Sequence, residues 1–486
     1  MCNLCSNENH EMLRRDFIKT VGVSAAGVSL GAGGIIGTAE IVNSYATEKK
    51  ITTIRGAFLY PPSKTLDEEG YYSWPGADFD AEGRQKQYIS RIKEIESNLD
   101  IGIEMDQKPL DALSDVNKFI AEIKTTNPDG LLLIPFKKSH YDHIIRIVNE
   151  TQIPTVILAS LGILLIEHIM QLRDRKGVYL INSLDDLDAV ESGLKMVKTW
   201  CSMHDAKIVN IGGAEIVDTT APFIGTKVRK IPHQRFYNYF ANQKINEEVL
   251  ELAKQYMSNS VKIVQPTKDD IIEAAKNYFI LKKILAEEKA DALMMDCLPG
   301  LRKPHKHVPP CMGFMSLQDE GVPMGCQADL DATLTMMLLK GLFNKPGFMH
   351  NVSYNTEKDQ YFCSHCTSPS RMDGFDKPAE SYELMSHCES GWGTVPRVLF
   401  RKGQEVTITK FVANEKEPQM FLYSGETIGC PPIPATGGCR TNVETTINEL
   451  ERGSDLKGRS HMVMFYGHYV KQLKQFCQLY NIEVVV

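Results

Sequence analysis

The stretch 325–351, GCQADLDATLTMMLLKGLFNKPGFMHN, decides how the rest of the chain is read. It opens on a polar knot, Gln327-Ala328-Asp329, and continues into an apolar helix carrying Leu334, Met337 and Leu338. Pro346 marks a turn, and Gly347–Val352 reads as a strand. This order predicts Gln327 at the helix N-terminus and Asn351 at the tip of the following strand. Both ends then face one pocket, the usual placement of a site in an α/β fold.

Upstream of that stretch, strands and helices alternate. Apolar runs at 54–60, 101–105, 129–135 and 154–158 predict strands, and Asp129-Gly130-Leu131-Leu132-Leu133-Ile134-Pro135 has the uninterrupted apolar character of a strand buried on both faces. Between them, Tyr88, Ile92 and Ile95 recur at helical spacing, and 116–123 and 141–149 read as further helices. A second alternating unit is predicted from Val178, with strands at 178–181, 207–211, 261–264 and 292–296 and helices at 186–200, 247–257 and 271–285. Gly212-Gly213 lacks the dinucleotide-binding spacing, so no nucleotide site is expected there. Beyond Tyr361 the pattern changes to two-residue alternation (Val406, Ile408 against Thr407, Thr409) with dense Gly and Pro. The predicted fold class is therefore α/β, with two Rossmann-like doubly wound domains at 50–177 and 178–355. An antiparallel, β-barrel-like domain follows at 356–486.

Composition narrows the function. The chain has 486 residues, 43% hydrophobic and 24% charged, with a formal net charge of −7. A balance of that sign argues against nucleic acid and against a basic membrane-binding patch. Residues 1–46 read as an export segment: Arg14-Arg15-Asp16-Phe17-Ile18-Lys19 has the form of a twin-arginine signal, followed by a Gly/Ala-rich apolar run too short for a confident span. Cleavage after Ala39 or Ala46 fits the preference for small residues, and an uncleaved anchor is the alternative. The expected location is periplasmic or otherwise extracytoplasmic, by the twin-arginine machinery. Cys2-x-x-Cys5 would leave with the signal, so ten of the twelve cysteines remain in the mature chain.

Several segments together resemble the fucose/arabinose isomerase superfamily. They are Cys326-Gln327-Ala328-Asp329 with Leu334–Leu339, Pro346–Met349, Ser364–Pro369, His387–Gly391, Gly438–Thr441 and Ser460–Gly467. The resemblance runs from about residue 50 to the end, is most specific after Asp296, and is nearest to a twin-arginine-exported, L-fucose isomerase-like branch. It implies an aldose–ketose isomerase acting on a monosaccharide in carbohydrate metabolism. It also implies Mn²⁺ or another divalent cation and a homotrimer or homohexamer.

By that resemblance, two carboxylates act as metal ligands and acid/base groups and a histidine completes the metal site. Their positions fall on Gln327, Asn351 and His461. The imidazole is kept and both carboxylates are amides, which neither carry charge nor take a proton at neutral pH. Losing one general base typically costs about 10²–10⁴ in rate. A non-catalytic sugar-binding protein on the same scaffold is therefore the competing reading. Asp329 and His350 lie beside the two amides and can, with His461, supply a shifted metal site. Equally, Asp329 can cap the helix, the commoner task of an Asp in that place.

The remaining candidates each carry an ordinary alternative. His365, His387, Glu389 and Arg440 are expected to contact sugar hydroxyls, as are Asp373 and Glu444; each can also be a cap or an ion pair. Cys363-Ser364-His365-Cys366 spells a redox-type C-x-x-C, but Thr367-Ser368-Pro369 is a poor helix start, and no second pair stands at zinc-finger spacing. His305-x-His307 reads as a basic turn or a metal site. Trp74 and Trp392 read as core or as sugar-stacking rings.

Overall fold

Gly130–Pro135 is buried at every position, as its unbroken apolar sequence requires, and sits at the centre of the first sheet. The computed structural model describes residues 50–69, 76, 78–160, 163, 166–431 and 438–486. Residues 1–46, where the sequence reading places an export signal, and Trp74 lie outside them. β1 (Thr53–Leu59), β2 (Gly102–Met105), β3 (Gly130–Pro135), β4 (Thr155–Ser160) and β5 (Val178–Ser183) form an all-parallel sheet in the order β2-β1-β3-β4-β5.

Alternation along β3 sends Leu132 and Ile134 to one face and Leu131 and Leu133 to the other. The first face meets Tyr88, Ile92 and Ile95 of the helix Ala81–Leu99; the second meets Phe119, Ile120 and Ile147. Helices thus cover both faces. β5 closes this first sheet, pairing with β4 from Thr155↔Val178 to Ser160↔Ser183, rather than opening the second unit as the periodicity predicts. Its buried Val178 and Ile181 find apolar cover there. The helix Asp188–Asp205 then leads away, its Gly193 pressed against Tyr179 and Val156.

The second sheet is mixed. β6 (Lys207–Ile211), β7 (Val217–Thr220), β8 (Lys227–Ile231), β10 (Ala292–Met295) and β11 (Met324–Cys326) lie in the order β11-β10-β6-β8-β7, with β7 antiparallel to β8. The sequence reading assigns neither this hairpin nor the helix His233–Asn242 after it, although Phe236 and Phe240 stand at helical spacing and are both buried. β9 (Ser260–Ile263) does not join this sheet. It pairs with β14 (Tyr382–Met385), which in turn pairs with β15 (Val395–Val398).

β12 (Phe348–Asn355) belongs with the C-terminal strands, not with the second α/β unit. It pairs with β13 (Gln360–His365) and β19 (His461–Tyr466). β13 pairs with β18 (Thr441–Thr445), β18 with β17 (Gln419–Gly429), β17 with β16 (Glu405–Val412), and β16 with β19, all antiparallel. β20 (Glu483–Val485) adds to β17 in parallel. Alternate residues Phe348, Tyr361, Cys363, Val443, Met462 and Met464 share one core. Met349, Val463, Phe465 and Phe411 pack into another, shared with the helix Leu330–Phe343. That helix is buried on nearly every side, which is why its sequence is apolar almost throughout.

Among the described residues, no helix is long and apolar enough to cross a membrane.

Candidate functional site

The site is built where the second sheet, the helix Leu330–Phe343 and the C-terminal strands meet. β11 ends at Cys326, and the chain turns through Gln327 (φ +51°) and Ala328 (φ +54°). Two successive non-glycine residues in the left-handed region cost of order 1–3 kcal/mol each, and such strain collects at functional sites. The turn is pinned by Ala328 N–H to Met295 O (3.2 Å) and Asp329 N–H to Cys326 O (3.1 Å). Gln327 is left exposed at the carboxyl edge of the sheet.

Asp329 caps the helix, its Oδ1 accepting from Ala332 N–H at 2.8 Å. The same carboxylate receives Lys410 Nζ at 2.8 Å on both oxygens and His461 Nδ1 at 2.9 Å on Oδ2. Burial alone would raise the pKa of Asp329. The His461 hydrogen bond and the Lys410 charge outweigh it and hold the carboxyl well below the usual range. Of the alternatives in the sequence, the structure shows the cap, and the same side chain also meets His461. Because Nδ1–H of His461 is given to Asp329, its Nε2 carries the lone pair.

His461, Asn351, Ser364 and Asn442 lie directly opposite one another across four strands, β19, β12, β13 and β18. Opposed residues share a face, so this is one polar row. Asn351 is therefore in mid-sheet rather than at a strand tip, and its Nδ2 donates to Cys439 Sγ at 3.5 Å.

His365 is 3% exposed, and its ring meets that of His461 edge-on at 5.5 Å. Its Nδ1 accepts from Thr367 N–H (3.1 Å), which places the proton on Nε2. Among the described residues that buried Nε2 has no hydrogen-bond partner. Burial, then the nearby His461, lowers the pKa of His365 to about 3, so the ring is neutral. His350 is also pushed down to about 3 by burial and is spent on Phe348 O (3.0 Å) and Tyr361 Oη (2.8 Å). It does not join Asp329 and His461.

The other predicted contacts lie at the margin. His387 Nδ1 accepts from Ser390 N–H (3.2 Å), Glu389 is exposed on the same turn, and Arg440 Nε donates to Ser386 O (2.7 Å). Asp373 pairs with Arg401, and Glu444 with Lys358. Trp392 stacks on His305 at 4.1 Å. His307 is not on a solvated turn but 1% exposed among Phe236, Tyr237 and Phe240.

The C-x-x-C is divided. Cys363 is enclosed in the C-terminal core, whereas Cys366 joins Cys311 and Val395 in a separate cluster. A cleft of about 460 Å³ opens elsewhere, lined by Tyr60, Glu82, Gln85, Lys86, Gln107 and Asp111 among others, and takes no residue from 325–351.

The donors expected for Mn²⁺ do not fit a hard cation in this arrangement. Such an ion needs several carboxylate or carbonyl oxygens. Of the residues implied, only Asp329 brings a carboxylate, and both its oxygens already face the ammonium of Lys410. Lys410 itself was missed by sequence reasoning. Its trace was one lysine in an alternating apolar strand, 405-EVTITKFV-412, where it is 2% exposed. Scanned against models of known protein families and compared with curated proteins, the chain gives no match.

Proposed function

We propose that this chain is an exported L-fucose/L-arabinose isomerase-like protein that binds a monosaccharide over the Asn351–His461 row. On this reading His461 is the group left to move a proton. The resemblance supplies the family. The observation that carries the site is the buried Nε2–H of His365, which lacks an acceptor beside the imidazole of His461. An orphaned buried donor of this kind costs about 1–3 kcal/mol unless a ligand satisfies it, and a sugar oxygen supplies that acceptor.

The chemistry this permits is modest. His461 Nε2 takes the C2 proton of an open-chain aldose while His365 Nε2–H donates to the carbonyl oxygen. The C2–H electrons form the enediol double bond. The carbonyl π electrons pass to O1, which takes the O2–H proton as the C2=O bond forms, and the imidazolium returns its proton to C1, giving the ketose with no external oxidant or reductant. Asp329 stabilises the imidazolium in the interim. Gln327 and Asn351, in the positions of the family's carboxylates, serve as hydrogen-bonding groups only. The same proposal includes Rossmann-like α/β units, closure of the C-terminal strands into a barrel, and a homo-oligomer.

The second reading is a sugar-binding protein that does not turn its ligand over, and the two amides favour it. Both readings are tested by incubating pentoses and 6-deoxyhexoses with the protein in D₂O, with calorimetry alongside. The first predicts binding with deuterium appearing at C1 of the ketose and at C2 of recovered aldose, lost in His461→Gln while affinity changes little. Binding without exchange selects the second. No binding by any sugar, with His365→Phe indistinguishable from wild type, overturns both. If exchange requires Mn²⁺ and is raised by Gln327→Glu with Asn351→Asp, the metal route is the active one.

A further inference from the structure

Three thiols from separate segments converge beside the polar row. Cys366 follows β13 directly, Cys388 lies in the loop after β14, and Cys439 lies just ahead of β18. Their Sγ atoms all lie within 4.8 Å of one another, with Cys366 and Cys388 at 3.3 Å. Among the described residues this is the group of His, Cys, Asp or Glu side chains whose ligand atoms meet closely enough to hold a metal.

The spacing suits coordination. Tetrahedral zinc with bonds of about 2.3 Å separates its sulfur ligands by roughly 3.8 Å, inside the range seen here. A disulfide needs about 2.05 Å and uses thiols in pairs, leaving one of three over.

The surroundings hold the thiols in place. Cys388 sits in a turn closed by Gly391 N–H to His387 O (2.9 Å) and His387 N–H to Trp392 O (3.2 Å). Arg440, next to Cys439, reaches Ser386 O, so the two cysteine-bearing loops are tied together. Met385 and Val395 wall the inner side, and Cys366 is 4% exposed. Cys388 and Cys439 are only half-buried, which leaves one side of the cluster approachable. Asn351 Nδ2 donates to Cys439 Sγ, the kind of outer hydrogen bond that orients and stabilises a ligating sulfur.

We propose that Cys366, Cys388 and Cys439 hold a zinc ion as three thiolates, with Asn351 hydrogen-bonded to Cys439 Sγ and the fourth position left to an exogenous oxygen ligand. Three protein ligands and one open vertex is the pattern of a reactive zinc site rather than a closed structural one. Thiolates select soft and borderline cations over Mn²⁺ or Mg²⁺. The inference does not need the sugar reading, since its metal ligands are the three thiols, although Asn351 borders both sites.

The test uses the full-length protein, reduced and loaded with Zn²⁺ or Co²⁺. About one ion per chain is expected, with Co²⁺ giving thiolate-to-metal charge transfer and the visible bands of tetrahedral geometry. Cys366→Ser, Cys388→Ser and Cys439→Ser should each weaken binding at least about tenfold, while Cys477→Ser leaves it unchanged. Alkylation mapped by mass spectrometry on the unmutated protein guards against variants that fail to fold. Zn²⁺ should protect these three cysteines and not Cys201. Equal alkylation with and without Zn²⁺, undiminished Co²⁺ spectra in a triple serine variant, or a Cys366–Cys388 disulfide that persists under zinc loading would each overturn the proposal.

Discussion

Lys410 Nζ stands 2.8 Å from both carboxylate oxygens of Asp329, across 81 positions of chain. The pair joins the start of the helix Leu330–Phe343 to β16, and both partners are largely buried. It works with two further ties between the same elements: Phe411 N–H to Thr335 Oγ1 (2.9 Å) and Ala413 N–H to Asp331 Oδ1 (3.1 Å). Buried ion pairs add little net stability when whole, but breaking one leaves an uncompensated charge. The relationship therefore fixes the register of the helix against β16 more than it stabilises either element.

Asp329→Asn should accordingly destabilise the protein by about 3–5 kcal/mol, because the Lys410 ammonium stays 2% exposed and loses the carboxylate it is hydrogen-bonded to. Lys410→Met should cost less, since Asp329 keeps His461 and Ala332 as donors. Asn and Met together should cost less than the two singles combined. Urea unfolding of the three variants measures this, and strict additivity would refute the coupling.

Acid should weaken the fold early. His350 and His365 have folded pKa values lowered from 6.5 to about 3, so the unfolded chain binds the additional protons between those values. Their stabilising effect is complete above about pH 6.5 and is lost as pH falls toward 3. The depressed pKa of Asp329 acts in the same sense at lower pH. The urea midpoint should drop from pH 7.5 to pH 5, and the drop should be shallower in His350→Gln.

Gly325→Ala should disturb the site without removing a polar group. A Cβ there would lie 2.0 Å from Thr333 Oγ1 and 3.0 Å from Met294 Cβ. Overpacking of this kind typically costs about 1–3 kcal/mol. Thermal unfolding should show the loss, with partial recovery when Thr333→Ala is added.

Thr335→Val keeps the side-chain volume and removes the acceptor for Phe411 N–H. A buried N–H left without a partner costs about 1–3 kcal/mol. Amide hydrogen exchange at Phe411 should accelerate, while Thr335→Ser should hold it near wild type.

Long elements with one dominant period were legible. The helix Lys268–Glu288 and β3 follow directly from apolar spacing and a buried run. Short strands were not assigned to the right sheet. β5, β9 and β12 are each recognisable as strands, yet each pairs outside the unit predicted for it. A strand's sequence states that it must be paired and covered; which edge receives it depends on what else has folded nearby. Within the site, Asp329 was expected from its place at the helix start and His365 and His461 from the family resemblance, and the three are brought together. Lys410 and the Cys366–Cys388–Cys439 group were not, because their members are scattered along the chain.

What the sequence by itself determined is the alternation of strand and helix, the amide side chains at 327 and 351, and the histidines at 350, 365 and 461. Those are properties of neighbouring residues and of residue type. The tertiary structure alone decided that Asp329 is neutralised by Lys410, that Asn351 turns to a sulfur, and that three distant thiols meet. Each of those depends on a long-range approach of a few ångströms, and short-range hydrophobic periodicity carries no information about it.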